Sequence, residues 1–181
     1  MENSALNFRK IFSQRIGMND VDEITYLIQD SNLHKQALYE LIYDDDKMVA
    51  FQAAWTFTHL SFKGNEWLYN KQDELIDEVL ICQHAGKRRL LLNLLLRQPL
   101  ANPPRIDFLD FCIERMMSVK ELPGVQSLCM KLAYEICRPI PELLQELRVT
   151  LELIEPDLLV PSMYAVRKNV LKAMQKGKKI N

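Results

Sequence analysis

The sequence predicts an all-α protein assembled from repeated helix pairs. Apolar residues recur at three- and four-residue spacing through nearly all of its 181 residues, and no segment keeps a two-residue alternation. Capping residues, glycines and prolines divide the chain into helix-length pieces. One of those pieces recurs at a step of about 40 residues.

The elements follow in order. A possible N-terminal helix covers about 5–16. Asp20 followed by Glu23 has the form of a capping box and opens a helix at about 21–29. Asn32 caps the next, 33–43, which carries Leu38, Leu41 and Ile42. The triplet Asp44-Asp45-Asp46 precedes a helix at 47–62, with Gly64 just past its end. A helix at 70–84 presents Leu75, Ile76, Val79 and Leu80 and is followed by Gly86. Helix 87–98 stops at Pro99, and Asn102-Pro103-Pro104 forbids continuation. Helix 106–118 carries Phe108, Leu109, Cys112, Ile113 and Met116. Pro123, Pro141 and Pro161 each suit the first turn of a helix, where a missing N–H costs nothing, and open helices at 123–137, 141–154 and 161–176. The expected organisation is one domain over 1–176 and a basic flexible tail at 177–181.

The repeat is read by superposing VAFQAAWTFTH from Val49 on RRLLLNLLLRQ from Arg88 and LCMKLAYEICR from Leu128. Ala53, Leu92 and Leu132 then share a column, as do Trp55, Leu94 and Tyr134, and Phe57, Leu96 and Ile136. Ala54, Asn93 and Ala133 form a column without large apolar side chains, and Pro99 and Pro139 follow their copies at the same place. One helix intervenes between copies. This period, with the run of Ala53, Ala54, Trp55 and Leu60, resembles HEAT and armadillo-like repeats over about residues 20–154. The resemblance implies a right-handed α-α superhelix of about 3–4 helix pairs plus terminal helices, with first (A) helices convex and second (B) helices lining a concave side. The inter-repeat Asp and Arg signature of that family is not evident here. A compact helical bundle is the alternative.

Composition limits function. With 48% apolar and 26% charged residues and a net charge of −1, the chain is neither disordered nor a wholesale basic nucleic-acid binder. Cys82, Cys112, Cys129 and Cys137 contain no C-x-x-C pair and sit among apolar neighbours, which reads as reduced core thiols. The N-terminal MENSALNFRKIFSQRIG has no apolar h-region, and the LLLNLLL run of Leu90 to Leu96 is too short to span a membrane. A soluble, cytoplasmic protein is expected.

Charge is unevenly distributed. The B helices carry Asp73, Glu74, Asp77, Glu78, Asp107, Asp110, Glu114, Glu142, Glu146 and Glu152 against Lys71, Arg115 and Arg148, a balance of −7. The A helices carry Lys47, Lys87, Arg88, Arg89, Arg97 and Lys131 against Glu135, a balance of +5. A concave face that gripped a phosphate backbone would need the opposite polarity, so a helical-repeat nucleic-acid reader is disfavoured. An acidic groove for a basic or amphipathic protein segment fits, with Asp73, Glu74, Asp77, Asp110, Glu114 and Glu146 as contacts. Trp67, in the G-N-E-W-L-Y connector, is either a satellite packing residue or an exposed binding anchor. Lys87-Arg88-Arg89 opposes a helix dipole and is expected to pair with Asp44, Asp45 and Asp46 of the preceding unit. From residue 164 onward the chain holds Arg167, Lys168, Lys172, Lys176, Lys178 and Lys179 and no acid, which suits a helix C-terminus or docking on an acidic surface, including another copy of the chain.

Few residues invite chemistry. Asn93, within an all-Leu run, is expected to be buried and to need partners. His34, His59 and His84 show no metal-ligand spacing, and neither G-x-S-x-G nor a Gly-rich phosphate loop occurs, so no metal or cofactor is expected. Residues 161–169, PSMYAVRKN, faintly resemble the S-S-x-M-P-x-K-x-N-P loop of the fumarase, aspartase and adenylosuccinate lyase superfamily at Ser162, Met163 and Asn169, with Arg167 or Lys168 near the cation position. The leading Gly, the second Ser and both internal Pro are absent, and the segment reads as helix. The leading reading is a non-enzymatic interaction module. The alternative is an enzyme, either lyase-like through Ser162 and Lys168 or a nucleic-acid base-removing repeat protein.

Overall fold

The computed structural model describes residues 7–180, which contain helices and no strand. The chain forms two compact units, residues 1–98 and 99–181.

The first unit holds α1 (Phe8–Phe12), α2 (Met18–Ile28), α3 (Asn32–Glu40), α4 (Lys47–Thr58), the single turn α5 (Phe62–Asn65), α6 (Gln72–Ile81) and α7 (Ala85–Leu96). Short 3-10 turns extend α3 over Leu41–Tyr43 and lead into α6 over Glu66–Lys71. Helix α4 packs against α7 and also receives α1, α2 and α3. It is accordingly buried nearly all round, through Val49, Ala50, Gln52, Ala53, Ala54, Thr56 and Phe57. Helix α7 inserts Leu90, Leu91, Leu92, Leu94 and Leu95.

The second unit holds α8 (Ile106–Met117), α9 (Pro123–Cys137), α10 (Pro141–Leu153) and α11 (Pro161–Lys176). Here α9 is central, packing on α8, α10 and α11. Helices α8, α10 and α11 each bury one stripe instead, such as Phe108, Leu109, Phe111, Cys112 and Met116 on α8. All four cysteines are free and buried.

The helices α4, α7, α9 and α11 begin at residues 47, 85, 123 and 161, a constant step of 38. The repeat inferred from the sequence is therefore present in the backbone. Pro123, Pro141 and Pro161 all occupy first-turn positions, as expected.

Several boundaries differ from the sequence reading, mostly because of caps. Asp20 is not the N-cap of α2: the helix starts two residues earlier, and the Asp20 carboxylate accepts the Gly17 N–H at 2.7 Å from inside the first turn. Ser31 rather than Asn32 caps α3, its Oγ accepting the His34 N–H. Asp46 caps α4 as the acidic triplet suggested, taking the Met48 and Val49 N–H groups. That helix ends at Thr58 rather than 62, because Ser61 starts a new turn by accepting the Gly64 N–H. Helix α6 ends at Ile81, since His84 caps α7 by accepting the Lys87 N–H on Nδ1 at 3.0 Å. Gly86 thus lies in the first turn of α7, where an added Cβ would come within 3.1 Å of the Phe51 ring. Only part of the expected 5–16 helix forms, and residues 5 and 6 lie outside the described residues.

Polar side chains close the ends of the buried helices. Arg97 donates to the carbonyls of Thr58 and Leu60, both at 2.8 Å, which satisfies the C-terminus of α4 from the helix beside it. Burial holds the Arg97 guanidinium below its ordinary pKa. Arg167 of α11 likewise donates to the Leu151 and Glu152 carbonyls at the end of α10. Gln52, buried within α4, is saturated: Nε2 donates to the carbonyls of Phe12 and Gln14, and Oε1 accepts the Ile16 N–H, each at 2.8 Å. One amide thereby replaces a missing helical ladder for the segment between α1 and α2. Gln52→Leu keeps most of the volume and leaves those three backbone groups unpartnered. It is expected to lower unfolding stability by about 2–4 kcal/mol, at roughly 1–3 kcal/mol for each buried group left unsatisfied with partial rescue by water. Urea denaturation checks this as a fall in midpoint with an unchanged slope.

Candidate protein-interaction surfaces

On α6 the core stripe is Leu75, Ile76 and Val79, so Asp73, Glu74 and Asp77 fall on the opposite side and are exposed. Glu74 accepts from Tyr39 Oη at 3.0 Å and pairs with Lys71 at 3.3 Å. Glu78 turns inward instead, to the ammonium of Lys87 at 2.8 Å. In the second unit Asp110 and Glu114, four residues apart on α8, are exposed together, and Glu146 is exposed on α10. Of the remaining acids on these two helices, Asp107 pairs with Arg105 and Glu152 with Arg148. The residues singled out from the sequence thus form a cluster of three on α6, a pair on α8 and a single carboxylate on α10.

The basic groups of the intervening helices behave differently. Lys87 and Arg88 are only 8% and 7% exposed. Lys87 is spent on Glu78, Arg88 on the Cys82 carbonyl and Arg97 on two carbonyls. In place of the expected pairing with the Asp44 triplet, Lys87 and Arg88 take other partners, and Arg89 is exposed. Asp44 binds Arg9 at 2.8 Å, which holds its carboxyl below the usual range, and Asp46 is committed to its cap. Of the bases counted along these helices, Lys87 and Arg88 are buried, Arg97 and Lys131 half-buried, and Lys47 and Arg89 exposed, whereas every acid of α6, α8 and α10 except Glu78 is exposed.

Trp67 is partly buried. Its ring lies 5.7 Å from Tyr39 and 6.3 Å from Phe57, so much of its surface serves packing. Tyr39 and Tyr43, which the sequence reading passed over, complete this cluster at the foot of α6. Their hydroxyls are 2.6 Å apart, and Lys71 stands 5.4 Å above the Tyr39 ring. The i,i+4 spacing of the two tyrosines on one helical face was the available signal. Trp55 is likewise only partly buried, against His59, rather than a core residue. Asn93 is partly exposed and so keeps access to water, which removes the need for internal partners. Small neighbours in its column, Ala54 and Ala133, are the buried ones.

The segment matched to the lyase loop is helical throughout as part of α11. Met163 points into the core, where Ser127 Oγ lies 3.1 Å from its sulfur. Arg167 is engaged with the end of α10, while Ser162 and Lys168 are exposed. These side chains diverge around a helix, so the loop resemblance is not carried into the structure. Among the described residues no group of His, Cys, Asp and Glu is placed to hold a metal ion, and no helix is long and apolar enough to cross a membrane.

A family model for a HEAT repeat domain matches residues 8–174, which include α4, α7 and α9, all of α8 and α10, and most of α11. The chain belongs to the HEAT repeat family. Searches of curated proteins and of solved structures found no match. Membership accounts for the 38-residue step and for the helix-on-helix packing within each unit, and HEAT repeats commonly serve as scaffolds for protein interaction.

The tyrosine cluster beside the α6 acids has a pH signature. Burial, with the carboxylates of Glu74, Glu78 and Asp77 nearby, pushes the Tyr43 phenol up to about 12 despite an opposing hydrogen bond from Tyr39. Burial, reinforced by the bond to Tyr43, pushes Tyr39 higher still. Both folded-state values lie above the unfolded value of about 10, so this contribution to stability is complete below about pH 10 and is lost as pH rises toward 12. Urea unfolding followed across that window should show the Tyr39→Phe/Tyr43→Phe double variant losing less stability than the parent chain. An equal loss in both would place the pH dependence elsewhere.

Proposed function

We propose that this HEAT repeat protein is a non-enzymatic interaction module that accepts basic or amphipathic protein segments on exposed carboxylates, those of α6 in the first unit and those of α8 and α10 in the second. The observation that supports this reading is the separation of charge by depth. Asp73, Glu74, Asp77, Asp110, Glu114 and Glu146 are exposed, while Lys87, Arg88 and Arg97 are engaged by Glu78 and by backbone carbonyls. A charged surface of one sign raises the encounter rate with an oppositely charged partner and selects against like-charged ones. Trp67, set beside α6 with part of its ring exposed, supplies an apolar edge for an amphipathic segment. The same polarity disfavours a phosphate backbone on these helices. Buried free thiols at all four cysteines suit a reducing compartment such as the cytoplasm. Docking of the basic α11 on a second copy's acids would be a homotypic version of the same recognition, and light scattering at low and high salt tests it.

The direct experiment titrates a fluorescent amphipathic Lys/Leu peptide of about twenty residues against the full chain and follows anisotropy. Neutralising Asp73, Glu74 and Asp77 to Asn, Gln and Asn should weaken binding by roughly three- to tenfold. Neutralising Asp110, Glu114 and Glu146 in the same way should do likewise, and both effects should shrink as salt screens the charges. Trp67→Phe, which preserves the packing, should cost less. Unchanged affinity in both neutralised variants rejects the proposal.

A further inference from the structure

We propose that the second unit carries a separate binding site for a small oligophosphate anion, in a cavity between α9, α11 and the chain that follows α11. The site lies apart from the acidic residues and has the opposite charge. It rests on how α11 ends. Gly177 adopts a left-handed conformation (φ 60°), the Lys178 N–H returns to the Ala173 carbonyl, and the chain reverses. The stretch beyond Gly177, expected from the sequence to stay unpacked, is then tied to α9: Tyr134 Oη donates to the Lys178 carbonyl, and the Ile180 N–H donates to Glu135 at 2.8 Å. Those bonds hold Lys178 and Lys179 over the face of α11 that carries Asn169, Lys172 and Lys176.

The space between them is an open pocket of about 310 Å³. Lys131 of α9 also lines it, and among the described residues no carboxylate does. Glu135, which receives the returning chain, is occupied by Ile180 on one oxygen and by Arg138 at 3.1 Å on the other. Lys172, Lys176, Lys178 and Lys179 form no ion pair among the described residues. The exposed lysines gathered around this one small space repel each other, and a ligand carrying several linked negative charges offsets that repulsion more than a single-charge anion does. The size is that of a small ligand rather than of a helix or a nucleic-acid strand. Asn169 adds a neutral amide donor at the helical position three residues before Lys172. Ala165, Ala173 and Ile180 give the cavity an apolar floor that excludes bulk water from part of the ligand.

Isothermal titration of the full chain with inorganic tripolyphosphate tests the site, with orthophosphate as the comparison. The expected result is one equivalent of tripolyphosphate bound at least tenfold more tightly than orthophosphate, with affinity falling as salt is raised. Lys172→Gln/Lys176→Gln should weaken tripolyphosphate at least tenfold while circular dichroism is unchanged and the thermal midpoint without ligand does not fall. Asn169→Ala, which alters no charge, should weaken it two- to fivefold. Lys10→Gln/Lys63→Gln, two exposed lysines of the first unit, should have no effect. Equal weakening by both lysine pairs, absence of binding, or tighter binding of a single-stranded oligonucleotide with several proteins per strand would each overturn the assignment. Since the acidic residues are untouched by every variant, peptide binding on α6, α8 and α10 stands or falls independently.

Discussion

The fold depends on burying certain helices on more than one side. A helix that meets one neighbour can keep a polar face in water, but α4 meets α1, α2, α3 and α7, and α9 meets α8, α10 and α11. Such a helix has no face left for unsatisfied polar groups, because each would cost more than a typical hydrogen bond contributes. Polar atoms buried on or beside these helices are therefore stabilised by internal partners. Gln52 meets that requirement with three backbone groups. Arg97 meets it for the end of α4 and Lys87 for Glu78.

That requirement decides which charges reach the surface. A base placed on an inner helix is drawn to the nearest unpaired carbonyl or carboxylate, since Coulomb interaction strengthens as water is excluded. Apart from Glu78, which turns inward to Lys87, the acids on α6, α8 and α10 face no such demand. Exposed carboxylates contribute little to stability, typically about 0–1 kcal/mol per pair, so they can vary with what the surface must recognise without disturbing the core. Charge polarity in this protein is thus a by-product of the layer arrangement, and it becomes available for binding only on the outer helices.

How much of this is legible in the sequence depends on the range of the interaction. Pro123, Pro141 and Pro161 mark helix starts to the residue because proline's missing N–H is a local fact. The repeat is legible for the same reason, since its spacing is a property of the chain alone. Caps are less so: Ser31, His84 and Gly17 were passed over because Asn32, Gly86 and Asp20 beside them carry equally plausible cap chemistry, and the choice turns on which residue's carbonyl starts the helix. Exposure of Asp73, Glu74 and Asp77 follows from their offset from Leu75, Ile76 and Val79. The fate of Lys87, Arg88 and Arg97 does not follow from any local pattern. Their partners, among them Glu78 and the carbonyls of Cys82, Thr58 and Leu60, are set by tertiary packing.

The end of α11 shows the same limit from the other side. Six cations without an acid read, in sequence, as a solvated helix end favoured by the dipole. The sequence holds the charge but not the chain reversal at Gly177, and it gives no sign that Tyr134 and Glu135, some forty-five residues earlier, present the groups that receive the returning backbone. Without that return, Lys178 and Lys179 would be spread through solvent and their repulsion from Lys172 and Lys176 would relax. With it, the repulsion is retained in the folded state, and two hydrogen bonds to a buried helix hold it there. A structure that keeps like charges together at its surface, while pairing Lys87 and Arg88 in its interior, holds them in an arrangement that a polyvalent anion relieves.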